Sequence, residues 1–293
     1  MLRELDLRLD DGRTLHVYDT GPAEGGDAGL TVLWHHGTPN IGLPPAPLFP
    51  HSDRLGVRWI SYDRPGYGAS TPLPGRDLAS AAAHAVQVAD ALGVGRFAVM
   101  GHSGGGAYAL ACAALLPERV VAAVSVSGPA PYDAPGLDWF AGMCPSGQAS
   151  LRAAREGRAA KERHEAESGY DPEMFTPADH AALGGDWSWF GEVVGPAVAG
   201  GPGGAIDDDL SYVAPWGCDP SRVAVPVLLL HGAEDRVIPA AHGGWLSRAC
   251  PDAELRLLPE DGHISVLRAA PAALEWLARG AGVSRRTPGA APA

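Results

Sequence analysis

The stretch VMGHSGGGAYALACAALLPERV, residues 99–120, constrains the fold more than any other part of the chain. An apolar run of strand character ends there and an alanine-rich run of helical character begins, with four glycines (Gly101, Gly104, Gly105, Gly106) crowded around one serine, Ser103. A glycine inside a helix costs roughly 1 kcal/mol relative to alanine. The sequence therefore gives up local helix stability for a backbone path open to residues without a Cβ. It requires a strand that turns abruptly into a helix, with Ser103 at the turn.

The rest of the chain repeats that strand-and-helix rhythm. Residues 2–9 and 13–18 alternate with period two around Asp-Asp-Gly, an antiparallel hairpin with one wet face. GLTVLWHHG and VRWISYDRPG are short apolar runs ending in glycine-containing loops, as expected for strands buried on both faces. Between them TPNIGLPPAPLFP is too proline-rich for a long helix and reads as a loop near the functional face. A helix is predicted over 78–92, closed by Gly93, followed by the strand RFAVM, the helix AYALACAALLPERV and the strand VAAVSVSG. The alternation stops after Pro131 and resumes with VPVLLLHGAEDRVIP, a helix around HGGWLSRAC, the strand AELRLLP and the helix PAALEWLARG.

This order predicts an α/β fold: a mostly parallel twisted sheet with helices on both faces and right-handed crossovers. Residues 133–221 are too long for a plain crossover and read as an inserted, mainly helical lid over the carboxyl ends of the strands, where open α/β sheets bind ligands. The core is then residues 1–132 and 222–280, with 281–293 a flexible tail. Within the insertion, SLRAAREGRAAKERHEAES is a charged helix-forming stretch with a solvated face, and DDDL (Asp207–Leu210) reads as a solvated turn because it lacks the spacing of a calcium loop.

Charge and composition narrow the partners. Lys and Arg total 22 against 34 Asp and Glu, a net charge of −12, and no basic stripe interleaved with aromatics overrides it. Such a surface repels nucleic acid and anionic membranes. The four cysteines lack C-x-x-C spacing, so neither a zinc knuckle nor a redox pair is expected, and no motif calls for a metal or organic cofactor. MLRELDLRLDDG has no continuous apolar stretch, and no run approaches the roughly 18 apolar residues of a membrane span. The expectation is a cytoplasmic monomer or homodimer acting on a small molecule.

G-x-S-x-G between a strand and a helix is a nucleophile elbow, in which the serine takes a strained conformation and side chains two residues to either side would collide. Gly101 and Gly105 occupy those positions. The helix beginning at Ser103 points its free N–H groups and positive dipole end at developing negative charge. With HHGTPN, DRPGYGAS, GHSGGG, HGAEDRVIP and DGHISV in this order, the chain resembles the α/β-hydrolase fold family from about residue 5 to residue 279.

The resemblance implies a serine, acid, histidine order. It nominates Ser103 as nucleophile, His263 as base and Asp235 as the acid that orients it; Glu234 and Asp261 are neighbouring carboxylates that the family pattern disfavours. His35, His36, His84, His102, His164 and His242 take structural or surface readings. The oxyanion hole would be the N–H groups of Gly104 and Thr38, while Asp63 and Arg64 order a turn and carry no chemistry. Aromatics in the insertion supply its own core, with some facing the serine; Trp139, Trp187 and Trp189 are the candidates for contact with substrate.

A Ser-His-Asp hydrolase forming an acyl-enzyme on a small, partly apolar carboxylic ester or lactone is the leading expectation. Serine at position 103 disfavours the epoxide hydrolase and haloalkane dehalogenase branches, which place aspartate at the elbow. Proline iminopeptidases share the architecture but show His-Gly-Gly-Pro-Gly where this chain has His-Gly-Thr-Pro-Asn; their ammonium-binding carboxylates would correspond in kind to Glu165, Glu167 or Glu192. Cofactor-free perhydrolases and carbon–carbon bond hydrolases use the same triad, and a binding protein on a hydrolase scaffold is the alternative outside catalysis.

Overall fold

A computed structural model describes residues 2–21 and 29–280; the tail expected at 281–293 lies outside them. Eight strands form one sheet: β1 (Arg3–Arg8), β2 (Thr14–Asp19), β3 (Thr31–His35), β4 (Arg58–Tyr62), β5 (Phe97–His102), β6 (Val120–Val126), β7 (Val227–Gly232) and β8 (Ala253–Leu258). Their spatial order is β1-β2-β4-β3-β5-β6-β7-β8. β1 pairs with β2 and β2 with β4 in antiparallel register, and every remaining pair is parallel. The N-terminal hairpin thus extends one edge of a parallel sheet.

The buried strands are apolar because each residue meets a helix whichever way it points. Leu33, Val99, Ala123 and Leu229 join the core shared with α2 (Ser80–Ala91), α3 (Gly104–Leu115) and α9 (Ala241–Ala249). Their neighbours Val32, Trp34, Met100, Val124 and Leu228 face the opposite core, covered by α1 (Phe49–Leu55) and α10 (Ala270–Gly280). Period-two alternation therefore distributes one hydrophobic run between two cores. The proline-rich segment expected as a loop does end in structure, since α1 starts at Phe49 with Pro50 in its first turn, where a missing N–H is harmless.

Between β6 and β7 the chain forms α4 (Pro145–Glu156), α5 (Arg158–Glu167), α6 (Pro177–Leu183), α7 (Phe190–Val198) and α8 (Gly203–Tyr212). The charged helix-forming stretch makes two helices, separated at Gly157, whose φ of 111° and ψ of 173° suit glycine alone. Its face is not wholly solvated either. Lys161 is 1% exposed, with its ammonium between Glu165 Oε1 at 2.5 Å and Asp209 Oδ2 at 2.6 Å. DDDL is likewise not a solvated turn: it lies in α8 with Asp207 and Asp208 buried. The three carboxylates point in different directions around the helix and find their countercharges on separate segments, Asp207 at Arg158, Asp208 at Arg64 and Arg76, and Asp209 at Lys161.

Candidate active site

Ser103 stands at the carboxyl end of β5, between strand and helix, with φ 57° and ψ −132°. A non-glycine residue at positive φ carries a strain of about 1–3 kcal/mol and persists only where its surroundings over-determine it. Here the Ser103 N–H donates to the Val126 carbonyl at 2.8 Å and its carbonyl accepts from Gly106 N at 2.9 Å. The flanking glycines explain the motif spacing. A Cβ on Gly101 would run into the Gly105 carbonyl, and one on Gly105 into the carbonyl of His35.

Asp235 lies past β7, and His263 past β8. His263 Nδ1 is 2.8 Å from Asp235 Oδ2, with both residues buried, so Nδ1–H donates to the carboxylate and Nε2 faces away from it. Asp235 Oδ1 accepts from the amides of Val237 and Ile238, each at 2.9 Å. Burial alone would raise the Asp235 pKa, but the His263 imidazole and these amides hold it below the usual carboxylate value. The neighbouring carboxylates are engaged elsewhere: Glu234 is exposed and Asp261 accepts from Arg268 Nε at 2.7 Å. No hydrogen bond joins Ser103 Oγ to His263 among the described residues. Such nucleophile–base bonds are often long without substrate and tighten when it binds.

His102, the residue before the serine, carries a contact that sequence reading missed. Its Nε2–H donates to the main-chain carbonyl of His263 at 2.9 Å, and the two rings lie 4.9 Å apart. Burial pushes the His102 pKa down to about 3, so the ring is neutral and the tautomer follows from that bond.

The loop after β3 reaches the serine closely, since a Cβ on Gly37 would sit 3.5 Å from the Ser103 Cβ. Thr38, Pro39, Ser103 and Gly104 line one cavity of about 700 Å³. Gly104 N belongs to the first turn of α3 and has no intrahelical acceptor, which leaves it free for a ligand oxygen. The Thr38 side chain is already engaged: Oγ1 donates to Asp208 Oδ2 at 2.5 Å and is 2.7 Å from the Tyr212 hydroxyl. Any oxyanion contact from Thr38 therefore comes from its backbone.

Arg64, expected to order a turn, holds this loop from beneath. Its guanidinium donates to the carbonyls of His36 and Gly37, and its own N–H donates to His36 Nε2 at 3.0 Å. Asp208 in turn receives Arg64 Nε at 3.1 Å, Arg76 at 2.6 Å and the hydroxyls of Tyr67 and Tyr108 at 2.7 and 2.9 Å. Burial opposes this charge, but the two guanidinium groups hold the Asp208 carboxyl far below the usual range. A carboxylate of the insertion thus anchors the loop after β3 through a core arginine.

The three aromatic candidates separate. Trp139 lines the cavity, its Nε1–H donating to Ala130 O at 2.8 Å. Trp187 and Trp189 do not; their rings pack against each other and against Phe190, within the α1/α10 core. Among the described residues there is no cluster of His, Cys, Asp or Glu that could hold a metal ion, and no helix is long and apolar enough to cross a membrane.

A family profile described as alpha/beta hydrolase fold matches residues 31–270. The chain is 31% identical over 243 residues to a non-heme chloroperoxidase of Streptomyces lividans, covering 80% of this chain and 83% of that protein. It is 29% identical over 264 residues to a 2-hydroxymuconate semialdehyde hydrolase of Pseudomonas putida, covering 87% and 86%. The crystal structure of a hydrolase from Pseudomonas aeruginosa superposes with a TM-score of 0.71 at 22% identity, over 96% of this chain and 99% of that one.

Proposed function

Because the chain belongs to the alpha/beta hydrolase fold family, we propose that it is a serine hydrolase whose triad is Ser103, His263 and Asp235. The observation that carries the reading is the 2.8 Å bond between buried Asp235 and His263, at the same end of the sheet as a serine held at positive φ. In this mechanism His263 Nε2 takes the Ser103 proton as Oγ attacks a carbonyl carbon, and Asp235 stabilises the imidazolium that forms. The N–H groups of Gly104 and Thr38 stabilise the tetrahedral oxyanion, the imidazolium returns its proton to the leaving group, and water then hydrolyses the acyl-enzyme.

A cavity of about 700 Å³ suits a small molecule. Trp139, Leu151, Val237 and Ile238 give it an apolar portion, while Ser150, Glu165 and Asp209 make another part polar. This supports a small, partly apolar carboxylic ester or lactone. The likeness to a non-heme chloroperoxidase favours a second reading, in which hydrogen peroxide rather than water receives the acyl group and a peroxy acid is released.

A fluorophosphonate probe tests the shared chemistry. Wild-type protein is expected to label at Ser103, with labelling abolished in Ser103→Ala and mass spectrometry placing the adduct in the peptide around Gly101–Gly106. A folded wild-type protein that fails to label overturns the proposal.

A further inference from the structure

We propose that Asp179, which belongs to the insertion, is a positioning residue for His263; this rests on the serine-hydrolase reading above. Asp179 is the third residue of α6 and is fully buried. Its Oδ2 accepts from Thr176 N and Thr176 Oγ1, both at 2.9 Å, and from the His263 amide at 3.2 Å. Its Oδ1 accepts from the amides of Ile264 and Ser265, each at 2.8 Å, and from Ser265 Oγ at 2.9 Å.

Helix capping does not account for this arrangement. The capping box of α6 uses Thr176 and one oxygen of Asp179. The other oxygen is given entirely to the loop that carries the histidine, three consecutive amides of which converge on this one side chain. The approach is close enough that a Cβ on Gly262 would collide with the carboxylate. A full negative charge shortens and strengthens such bonds relative to a neutral acceptor.

His263 is consequently held at three points from three parts of the chain. Asp179 of the insertion takes its N–H, His102 of the elbow donates to its carbonyl, and Asp235 takes its ring Nδ1–H. The Asp235 bond orients the imidazole only if the main chain, which the other two hold, stays in place, and a misplacement of about 1 Å at a reacting group costs on the order of 100-fold in rate.

The test is saturation kinetics of fluorophosphonate labelling at Ser103, below the melting temperature of each variant. For Asp179→Ala the maximal labelling rate is expected to fall about 100-fold while the half-saturating probe concentration stays within about twofold. Asp179→Asn, whose remaining carbonyl oxygen can still accept from Ile264 and Ser265, is expected to lose about 10-fold. Thr176→Val removes the hydroxyl that caps α6 but leaves the loop bonds; it is expected to lower the melting temperature with an unchanged labelling rate. An Asp179→Ala or Asp179→Asn protein that labels as fast as wild type overturns the positioning role alone. Absence of labelling in the wild type overturns the hydrolase reading and the positioning role with it.

Discussion

At the scale of single residues, the site depends on carboxylates that are never solvated. Asp208 accepts from two guanidinium groups and three hydroxyls, so its removal strands two buried cations. Asp208→Asn is expected to destabilise the fold by about 3–5 kcal/mol, read as a fall in the urea midpoint at pH 7. The same residue marks the limit of sequence reading. Gly101, Gly105 and Ser103 were legible because the turn that requires them lies within one short motif, even though the atoms that crowd Gly105 belong to β3, whereas Asp208 meets Arg64 across 144 positions and Asp179 meets His263 across 84. A run of aspartates reads alike whether water or arginine surrounds it.

At the scale of elements, the loops after β5, β7 and β8 each carry one member of the proposed triad, and that division was visible in the motif order. The boundaries inside the insertion were not. Helix propensity is high on both sides of Gly157, where a single glycine is compatible with a continuous helix, and the positive φ there separates α4 from α5. Open space surrounds the position of a Cβ there, so the penalty of a side chain is purely conformational. Gly157→Ala is expected to cost about 1–3 kcal/mol in urea denaturation without altering labelling of Ser103. Thr176 and Asp179 form the capping box of α6, and the second purpose of Asp179 depends on a loop 84 positions further along the chain. The burial of Trp187 and Trp189 away from the cavity has the same origin, since the core they fill is built from strands far removed in sequence.

At the scale of the whole molecule, burial of histidine governs the response to acid. His35 and His102 are pushed down to about 3, and His84 and His242 to about 4, chiefly by desolvation. The unfolded chain therefore binds protons near pH 6.5 that the native state refuses, and each such group withdraws up to about 1.4 kcal/mol of stability per pH unit on descent. Asp179, Asp208 and Asp235, whose folded values are lowered, add a further loss as pH falls below the unfolded value near 3.8. Asp63, Asp207 and Asp209 are raised by burial and act in the opposite direction, above that value. Urea midpoints are expected to drop steeply from about pH 6 to 4.5; a flat profile there contradicts the account. The anchoring of the His263 loop by Asp179 and, through Arg64, of the loop after β3 by Asp208 also bears on recombination. A chimaera that exchanges residues 133–221 for the equivalent segment of a relative would import a new cavity wall but sever both clasps, so grafts at this junction succeed only when the donor brings matching carboxylates.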